Sequence, residues 1–368
     1  MLFAEQVPLA QRHKGARKDV IKDKVCDFGS LYEAMHECRK NVMWKDSVSG
    51  FVKNGLVNCY KLHHQLHDGA YKIDKYTEFT IYEPKKRDIS STRFKDRVFQ
   101  RSLCDNYLYE AITKSFIHDN CACQKGKGTD FSRRRLVRHM QQYFRKHGLK
   151  GYVLNCDIEN YFGSTSHDVA KQILRKRIGD DWAYEHVVQI IDTFSQEDNP
   201  GVGMGLGSQV TQLIQLAVLD GLDHFIKEKL RIKFYIRYMD DFILIHHDKE
   251  YLKFCKGEIE KHLSNQRLKL SQRKTQIHPL KQGIKFLGFT FHLTETRKVV
   301  KRLSKKNIAK RRRKLKKLKG LVGKGILTKE HVDECYQSWK AHAEKGNTYN
   351  VIKQMNIFYN NLWGDNDV

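Results

Sequence analysis

Proline and long apolar runs are scarce in this sequence. Only 4 of the 368 residues are proline, and no low-complexity linker separates one part of the chain from another. Both absences favour a compact body over modules on a string. No apolar run is long enough to span a bilayer, and the N-terminal residues lack the charged-then-apolar order of a secretory signal peptide. We therefore expect a protein that is neither secreted nor embedded in a membrane.

Cysteine is present, but its spacing suits neither a disulfide framework nor a zinc site. The 9 cysteines are scattered, and the close pair Cys121 and Cys123 has no second pair at zinc-ligand spacing. We interpret them as reduced intracellular thiols, which predicts a cytoplasmic protein.

Acidic residues are outnumbered by basic ones. Lys and Arg total 68 against 42 Asp and Glu, which gives a formal charge of +26. Such an excess favours a polyanionic partner, with nucleic acid as the first expectation and an anionic membrane surface as the second. Between Arg297 and Lys329 no acidic residue occurs, which predicts a helix whose apolar side packs and whose cationic side faces phosphates. The cations that we assign to nucleic acid are Arg97, Lys310, Arg311, Arg312, Arg313 and Lys317.

The stretch Phe234–His247 places two adjacent carboxylates between apolar runs. β-Branched and aromatic residues on both sides predict a hairpin with Met239, Asp240 and Asp241 at its tip. Adjacent carboxylates repel each other, which raises their pKa values unless a cation lies between them, and a divalent metal ion is the simplest such cation. The pattern therefore indicates a phosphate-handling metal site, although an ordinary Asp-Asp turn fits this stretch alone equally well.

A third aspartate, Asp157, follows a separate apolar stretch. Tyr152–Leu154 predicts a strand that ends at Asp157, with a helix beginning at about residue 166 or 168. Functional groups of α/β sheets lie at such strand ends, but a lone aspartate there is also a common helix cap. If Asp157 and the hairpin converge, two metal ions ~4 Å apart fit between them, one activating a 3′-hydroxyl and one neutralising the leaving pyrophosphate.

Two further stretches suit phosphate binding. Phe79–Tyr82 predicts a short strand, and the turn after it carries Lys85, Lys86 and Arg87, which suit a triphosphate or a phosphodiester backbone. Residues 201–212 carry glycine at alternate positions ahead of a helix predicted over 208–229, which allows close approach of the backbone to a ligand. Each stretch is also typical of a simpler feature, a solvated basic turn or a tight loop.

Taken together, these stretches resemble the reverse transcriptases, and the bacterial ones in particular. Arg237–Phe242 is similar to the family's catalytic hairpin, Asn155–Phe162 to its first metal-binding motif, and Phe286–Phe289 to its primer grip. The resemblance covers roughly residues 75–365 and implies an α+β right-hand polymerase with fingers, an antiparallel palm sheet with helices, and a helical thumb. The implied domains are an N-terminal basic helical extension at 1–75, fingers at 76–150, a palm at 151–292 with a fingers segment at about 165–205, and a helical thumb at 293–368.

The resemblance also implies roles for individual residues. Asp157, Asp240 and Asp241 would be catalytic and, with Ile158, would bind two Mg²⁺ ions, for which Mn²⁺ can substitute. Phe162 would select dNTPs over NTPs by clashing with the ribose 2′-OH. The residues implied in dNTP binding are Lys85, Lys86, Arg87, Phe162, Leu206, Gly207, Gln212 and Lys274, and those implied in the primer grip are Phe286, Leu287 and Gly288.

One segment departs from a common pattern of the family. Many reverse transcriptases carry Gln-Gly-x-x-x-Ser-Pro, whereas Leu206–Gln212 is LGSQVTQ. This is close to the Leu/Ile-Gly-x-x-x-Ser-Gln form of diversity-generating retroelements, with Thr for Ser, and it is similar to forms in bacterial defence-associated reverse transcriptases. The resemblance implies that Leu206 lies near the dNTP, where an apolar side chain cannot hydrogen-bond as glutamine would, and this predicts looser template fidelity.

The implied partners are dNTPs, a cDNA product and a dedicated structured non-coding RNA as template. A diversity-generating system would add a small basic accessory protein, and a phage-defence system a neighbouring non-coding RNA; the sequence leaves both open. Two other functions also stay open, a nucleic-acid-binding protein with a vestigial polymerase site and a template-independent or RNA-synthesising polymerase with the same palm. The retained carboxylates argue against the first of these, and Phe162 argues against RNA synthesis.

Overall fold

The structure, a computed structural model, describes residues 20–82, 87–194 and 200–364, with only the backbone at 87 and 88. Helices predominate. They are α1 (20–26), α2 (Phe28–Cys38), α3 (Asp46–Lys53), α4 (Gly55–His67), α5 (Phe94–Leu103), α6 (Tyr109–Thr113), α7 (Thr129–His147), α8 (Tyr161–Ser164), α9 (His167–Arg175), α10 (Asp181–Asp192), α11 (Gln209–Val218), α12 (Asp220–His224), α13 (Lys249–Ser264), α14 (Lys305–Gly323), α15 (Lys329–Glu344) and α16 (Tyr349–Trp363).

The strands form three antiparallel sheets. A hairpin pairs β1 (Thr77–Ile81) with β2 (Arg87–Ser91). The central sheet has the order β4 (Phe234–Tyr238), β5 (Asp241–His246), β3 (Tyr152–Asp157) and β6 (Gln276–Pro279). A third sheet contains β7 (Ile284–Phe286), β8 (Phe289–Leu293) and β9 (Val299–Arg302). Short π-helical turns cover Cys104–Leu108 and Phe225–Lys229, and a 3₁₀ turn covers Leu280–Gln282.

Both faces of the central sheet are buried. Alternate residues of a strand point to opposite faces, so Leu154 and Phe242 join one apolar core while Val153 and Ile243 join another. Because both faces need apolar side chains, β3 and β5 carry nearly continuous apolar runs. The sheet is therefore fixed on both sides, and its strand ends are set rigidly.

The first core also takes in the N-terminal helices. Leu31 of α2, Leu62 of α4 and Phe99 of α5 are buried in the same cluster as Leu154 of the central sheet. The predicted N-terminal extension thus shares its core with the sheet. The C-terminal helices α14–α16 have a separate core, around Leu315, Trp339 and Met355.

The predicted elements differ from the observed ones at a few places. Asp241 is the first residue of β5, so the hairpin turn consists of Met239 and Asp240 and not of three residues. The helix predicted over 208–229 is broken into α11, α12 and a π-helical turn. Lys85 and Lys86 lie outside the described residues, and Arg87 begins β2 opposite Ile81. Within the described residues, no helix is both long and apolar enough to cross a bilayer.

Candidate active site

The antiparallel pairing of β3 with β5 brings the three predicted aspartates to one sheet end. Asp157 lies directly opposite Asp241 in the register, and residues in such pairs have Cα atoms about 4.5–5.5 Å apart. Asp240 precedes Asp241 in the turn, and the N–H of Ile158 donates to the carbonyl of Asp240 at 3.3 Å. Strand pairing places Asp157 beside Asp241, and the hairpin turn places Asp240 next to them, so the three predicted aspartates meet at one end of the sheet.

This end of the sheet carries an excess of negative charge. Burial, together with the neighbouring Asp240 and Asp157 carboxylates, raises the pKa of Asp241 to about 7, and the ammonium group of Lys274 offsets only part of this rise. Lys274 donates from Nζ to Asp157 Oδ1 at 2.6 Å. Its side chain is 43% exposed against 18% for Asp157, so the lysine reaches the site from solvent.

The donor set fits divalent cations of the magnesium type. No three His, Cys, Asp or Glu side chains of residues 20–82, 87–194 and 200–364 already stand together as a metal cluster. Mg²⁺, however, is usually bound by one or two carboxylates plus substrate phosphates and water, not by a closed protein cage. The side chain of Ile158 is buried in the first core, so only its main chain is available as a ligand.

The raised pKa of Asp241 gives a stability prediction for the metal-free protein. A carboxyl group whose folded pKa lies near 7, against 3.8 for the ordinary group, binds more protons in the folded state between those values. Its contribution to the free energy of unfolding is therefore fully present below about pH 4 and lost as pH rises through about 7. In EDTA at pH 8 we expect Asp241→Asn to melt at least about 2 °C above wild type.

The same comparison at pH 5 is the control. There the folded carboxyl group is still protonated while the unfolded one is already largely ionised, so the gap in melting temperature should shrink to about half or less of its size at pH 8. Adding Mg²⁺ at pH 8 should stabilise the wild type more than the variant, because the ion neutralises the repulsion among the three carboxylates and the variant has one carboxylate fewer. Thermal melts that show a gap of equal size at both pH values would contradict this account.

The segment after Asp157 packs against the glycine-rich loop. The N–H of Met204 donates to the carbonyl of Phe162 at 2.7 Å, and the N–H of Gly203 donates to that of Thr165 at 2.9 Å. A Cβ at Gly205 would lie 1.9 Å from the Phe194 ring, so this position needs glycine. The half-buried Phe162 thus lies against this loop, and Asp157 is five residues before it in the chain.

The rest of the motif Leu206–Gln212 runs from the loop into the first turn of α11. Leu206 is half-buried and Gly207 is exposed, with a φ of 117° that favours glycine. Ser208 donates from its hydroxyl to Gln100 Oε1 at 2.6 Å, which ties the loop to α5. Gln212 is half-buried in the first turn of α11.

The predicted primer grip is a tight turn between β7 and β8. Leu287 and Gly288 have φ values of 43° and 89°, and Phe286 is buried. Arg133 of α7 donates from Nη2 to the carbonyl of Leu287 at 2.8 Å. A Cβ at Gly288 would lie 3.1 Å from the ring of His342 in α15. The turn therefore touches α7 on one side and the C-terminal bundle on the other, and neither Arg133 nor His342 was predicted from the sequence.

The cations of α14 divide into two groups. Lys310, Arg313 and Lys317 are exposed to solvent. Arg311 and Arg312 turn inward, with their guanidinium groups 6.0 Å from the ring of Trp339 and 5.4 Å from that of Phe358. Arg97 is half-buried, and its Nη2 lies 3.3 Å from the Ser91 hydroxyl in β2.

Arg237 begins the stretch that resembles the catalytic hairpin, but the sequence analysis assigned it no role of its own. Its side chain has no solvent exposure and forms an ion pair with the equally buried Asp223. Burial alone would lower the pKa of Arg237, but the Asp223 carboxylate outweighs burial and raises that pKa, so the guanidinium stays charged. The alternation of Phe234, Ile236 and Tyr238 places Arg237 on the opposite face of β4, where a charged side chain is expected to meet solvent, and no local signal identifies Asp223 as its partner.

Comparisons with known proteins identify a matching family model and several similar solved structures. The family model described as "Reverse transcriptase (RNA-dependent DNA polymerase)" matches residues 73–291. No curated protein matches the sequence. Similar solved structures include apo telomerase from Candida tropicalis, with a TM-score of 0.48 and 13% identity over 62% of this chain and 49% of that one. Telomerase from Candida albicans in complex with a TWJ fragment of telomeric RNA has a TM-score of 0.46 and 13% identity over 79% of this chain and 56% of that one. The chain thus spans about half the length of these structures.

Proposed function

Because the chain belongs to the reverse transcriptase family and has the right-hand fold, we propose that it is an RNA-directed DNA polymerase that copies a dedicated structured non-coding RNA into cDNA by two-metal nucleotidyl transfer. The observation that carries the proposed chemistry is the pairing of Asp157 with Asp241 across β3 and β5. The attacking 3′-oxygen forms a bond to the α-phosphorus of the dNTP, and the bond to pyrophosphate breaks. The reaction therefore needs positive charge where these carboxylates meet.

The carboxylates of Asp157, Asp240 and Asp241, with the main chain of Ile158, are the proposed holders of two Mg²⁺ ions, or of Mn²⁺ in their place. The chemistry that the bound ions supply is activation of the primer 3′-hydroxyl and neutralisation of charge on the leaving pyrophosphate. Lys274, which is ion-paired with Asp157 and 43% exposed, has the flexible stem of a lysine, and its proposed role is to turn toward the triphosphate.

The remaining predicted site residues have proposed roles in binding the dNTP, the primer and the template. Phe162 bounds the ribose side, and the loop at Leu206, Gly207 and Gln212 bounds the base pair. The basic residues Lys85, Lys86 and Arg87 hold the triphosphate, and the grip Phe286–Gly288 holds the primer end. The exposed cations of α14, together with Arg97, contact the backbone of the template–primer duplex, as the net charge of +26 supports.

For the biological setting we propose a bacterial diversity-generating retroelement or an anti-phage defence system, with the enzyme in the cytoplasm. The motif Leu206–Gln212 supports this setting, since its first residue is apolar where many reverse transcriptases have glutamine. Scattered cysteines without a disulfide pairing pattern support a reducing compartment. A small basic accessory protein belongs to the first of these two systems only.

Sequencing the RNA and DNA that copurify with the protein tests the template. We expect one abundant structured RNA and cDNA that begins at a defined position in it. A repeat-derived template would select the diversity-generating system, and a neighbouring non-coding RNA that is copied during infection would select defence. A random sample of cellular RNA, with no discrete cDNA, would contradict a dedicated template.

The identity of residue 206 gives a fidelity prediction. A glutamine in place of the half-buried Leu206 restores a hydrogen-bonding group beside the incoming base. Leu206→Gln should therefore lower misincorporation by about 3- to 10-fold, since one hydrogen bond contributes about 0.5–1.5 kcal/mol. Leu206→Met keeps the apolar character and serves as the matched control, with the wild-type error rate. Deep sequencing of cDNA made on a defined RNA gives both rates, and an unchanged error spectrum for Leu206→Gln would refute the prediction.

A further inference from the structure

Arg237 combines complete burial with contact to the catalytic turn. Its Nε donates to Asp223 Oδ1 at 2.7 Å, and its Nη2 donates to Oδ2 at 2.5 Å. Nη2 also donates to the carbonyl of Leu216 at 3.3 Å, and Nη1 donates to the carbonyl of Met239 at 3.0 Å. One guanidinium thus joins α11, α12 and the turn that carries Asp240.

The bond to Met239 acts on a strained part of the backbone. Met239 has a φ of 57°, in the left-handed region that residues other than glycine seldom adopt. The next carbonyl, that of Asp240, accepts from the N–H of Ile158 at 3.3 Å. These two bonds hold consecutive carbonyl groups of the turn, and the direction of the Asp240 side chain depends on both.

The guanidinium itself is fixed in place. The backbone of Arg237 donates to the Asp119 carbonyl at 3.0 Å and accepts from the N–H of Cys121 at 2.9 Å. Asp223 accepts a further hydrogen bond from the hydroxyl of Tyr235 at 2.6 Å. The donor that meets Met239 therefore has little freedom to move.

Stability alone does not account for this arrangement. Buried ion pairs can often be replaced by apolar residues of similar volume with no loss of stability. An apolar pair in place of Arg237 and Asp223 would fill the same space, but it would leave the Met239 carbonyl without its donor. What Arg237 provides, and an apolar residue cannot, is the hydrogen bond that fixes the Met239 carbonyl in the turn.

We propose that Arg237 is a positioning residue for nucleotidyl transfer, whose guanidinium, anchored by Asp223, holds the Met239 carbonyl and so sets the direction of the Asp240 carboxylate. The inference rests on the proposed catalytic role of Asp240. It assigns no chemical step to Arg237, because that side chain is buried beneath the turn and does not reach the substrate.

The test compares an apolar pair with the wild type in single-nucleotide addition on a primed RNA template. For Arg237→Met combined with Asp223→Leu we expect a melting temperature within about 4 °C of wild type. We expect kcat to fall at least about 30-fold while KM for the dNTP stays within about threefold, because a displaced catalytic group slows the chemical step more than it weakens binding. Arg237→Lys keeps the charge but not the planar fork, and it should lower kcat in the same way with a smaller effect.

A second ion pair, in which Arg177 is 17% exposed and Asp220 is buried, provides the control. Arg177 donates from Nη2 to Asp220 at 2.7 Å, and neither residue contacts the catalytic turn among the hydrogen bonds of the described chain. Arg177→Met combined with Asp220→Leu removes a comparable ion pair, and its kcat should stay within about twofold of wild type.

The possible results distinguish a failure of the inference about Arg237 from a failure of the proposed function. An apolar 237/223 pair that folds and retains kcat within threefold of wild type would overturn the inference, because Arg237 would then be structural only. If that pair fails to fold, Arg237→Lys decides: a lower kcat at constant KM supports positioning, and a wild-type kcat refutes it. If the wild type itself shows no dNTP incorporation that Asp240→Asn abolishes, the proposed function fails and the inference fails with it.

Discussion

Replacing both Asp240 and Asp241 by alanine should lower Mg²⁺-dependent dNTP incorporation by about four orders of magnitude while leaving the protein folded. Removing a single electrostatic stabiliser of a transition state costs about 10²–10³ in rate, and this variant removes two charges from the sheet end where Asp157 also lies. Primer extension on an RNA template with one labelled dNTP measures the rate. The melting temperature in EDTA at pH 8 should not fall, because the variant relieves repulsion among the carboxylates.

A second aspartate doublet in the chain is a matched control for this variant. Asp180 and Asp181 lie at the start of α10, where Asp180 accepts from the N–H of Ala183 at 2.8 Å as a helix cap. Replacing both by alanine makes the same change in net charge and should cost about 0.5–2 kcal/mol of stability through the lost cap. Its activity below the melting transition should match wild type. Activity above about one tenth of wild type in the Asp240→Ala, Asp241→Ala variant would remove these carboxylates from the mechanism.

The sequence predicts the local features of this site better than the long-range ones. The hairpin at Asp240 and the strand ending at Asp157 were predicted, and the register confirms that they meet. Both depend on short apolar runs broken by carboxylates, which is information that lies within a few residues. The turn was predicted one residue too long, because Asp241 is unfavourable in strands by propensity but pairs with Asp157 and Tyr238 through tertiary structure.

Long-range partnerships were not predictable in the same way. Arg237 is buried because Asp223, fourteen residues earlier, lies beneath it after α11 and α12 break, and the leucine spacing of that segment predicted one continuous helix. Arg311 and Arg312 stand in a run of cations that we predicted to face nucleic acid, yet their guanidinium groups lie over rings contributed by α15 and α16. In each case the environment of the side chain is set by residues that are distant in the chain. The periodicity of a single sequence carries no information about such contacts.

Phe162 should control the choice between dNTPs and NTPs, and Phe162→Val should increase the relative use of NTPs by about 100-fold. Asn160, with a left-handed φ of 42°, turns the chain after β3, and the bond from Met204 holds the Phe162 carbonyl at 2.7 Å. The ring is only half-buried, so part of its surface is left to meet a ribose. Forcing a 2′-oxygen against a fixed ring costs about 1–3 kcal/mol, and about 1.4 kcal/mol corresponds to a factor of ten.

The measurement is the ratio of kcat/KM for CTP to that for dCTP in single-nucleotide addition. Use of dCTP should change by less than about fivefold in Phe162→Val, because the ring excludes the 2′-OH without binding the deoxyribose strongly. The control is Tyr161→Phe, since Tyr161 is the adjacent aromatic residue but is buried, with its hydroxyl donating to the Gln215 carbonyl at 2.5 Å. That variant should keep the wild-type ratio. A folded, active Phe162→Val enzyme with an unchanged ratio would show that sugar selection lies elsewhere, and the most direct candidate would then be the loop at Met204–Leu206 that packs on the same segment.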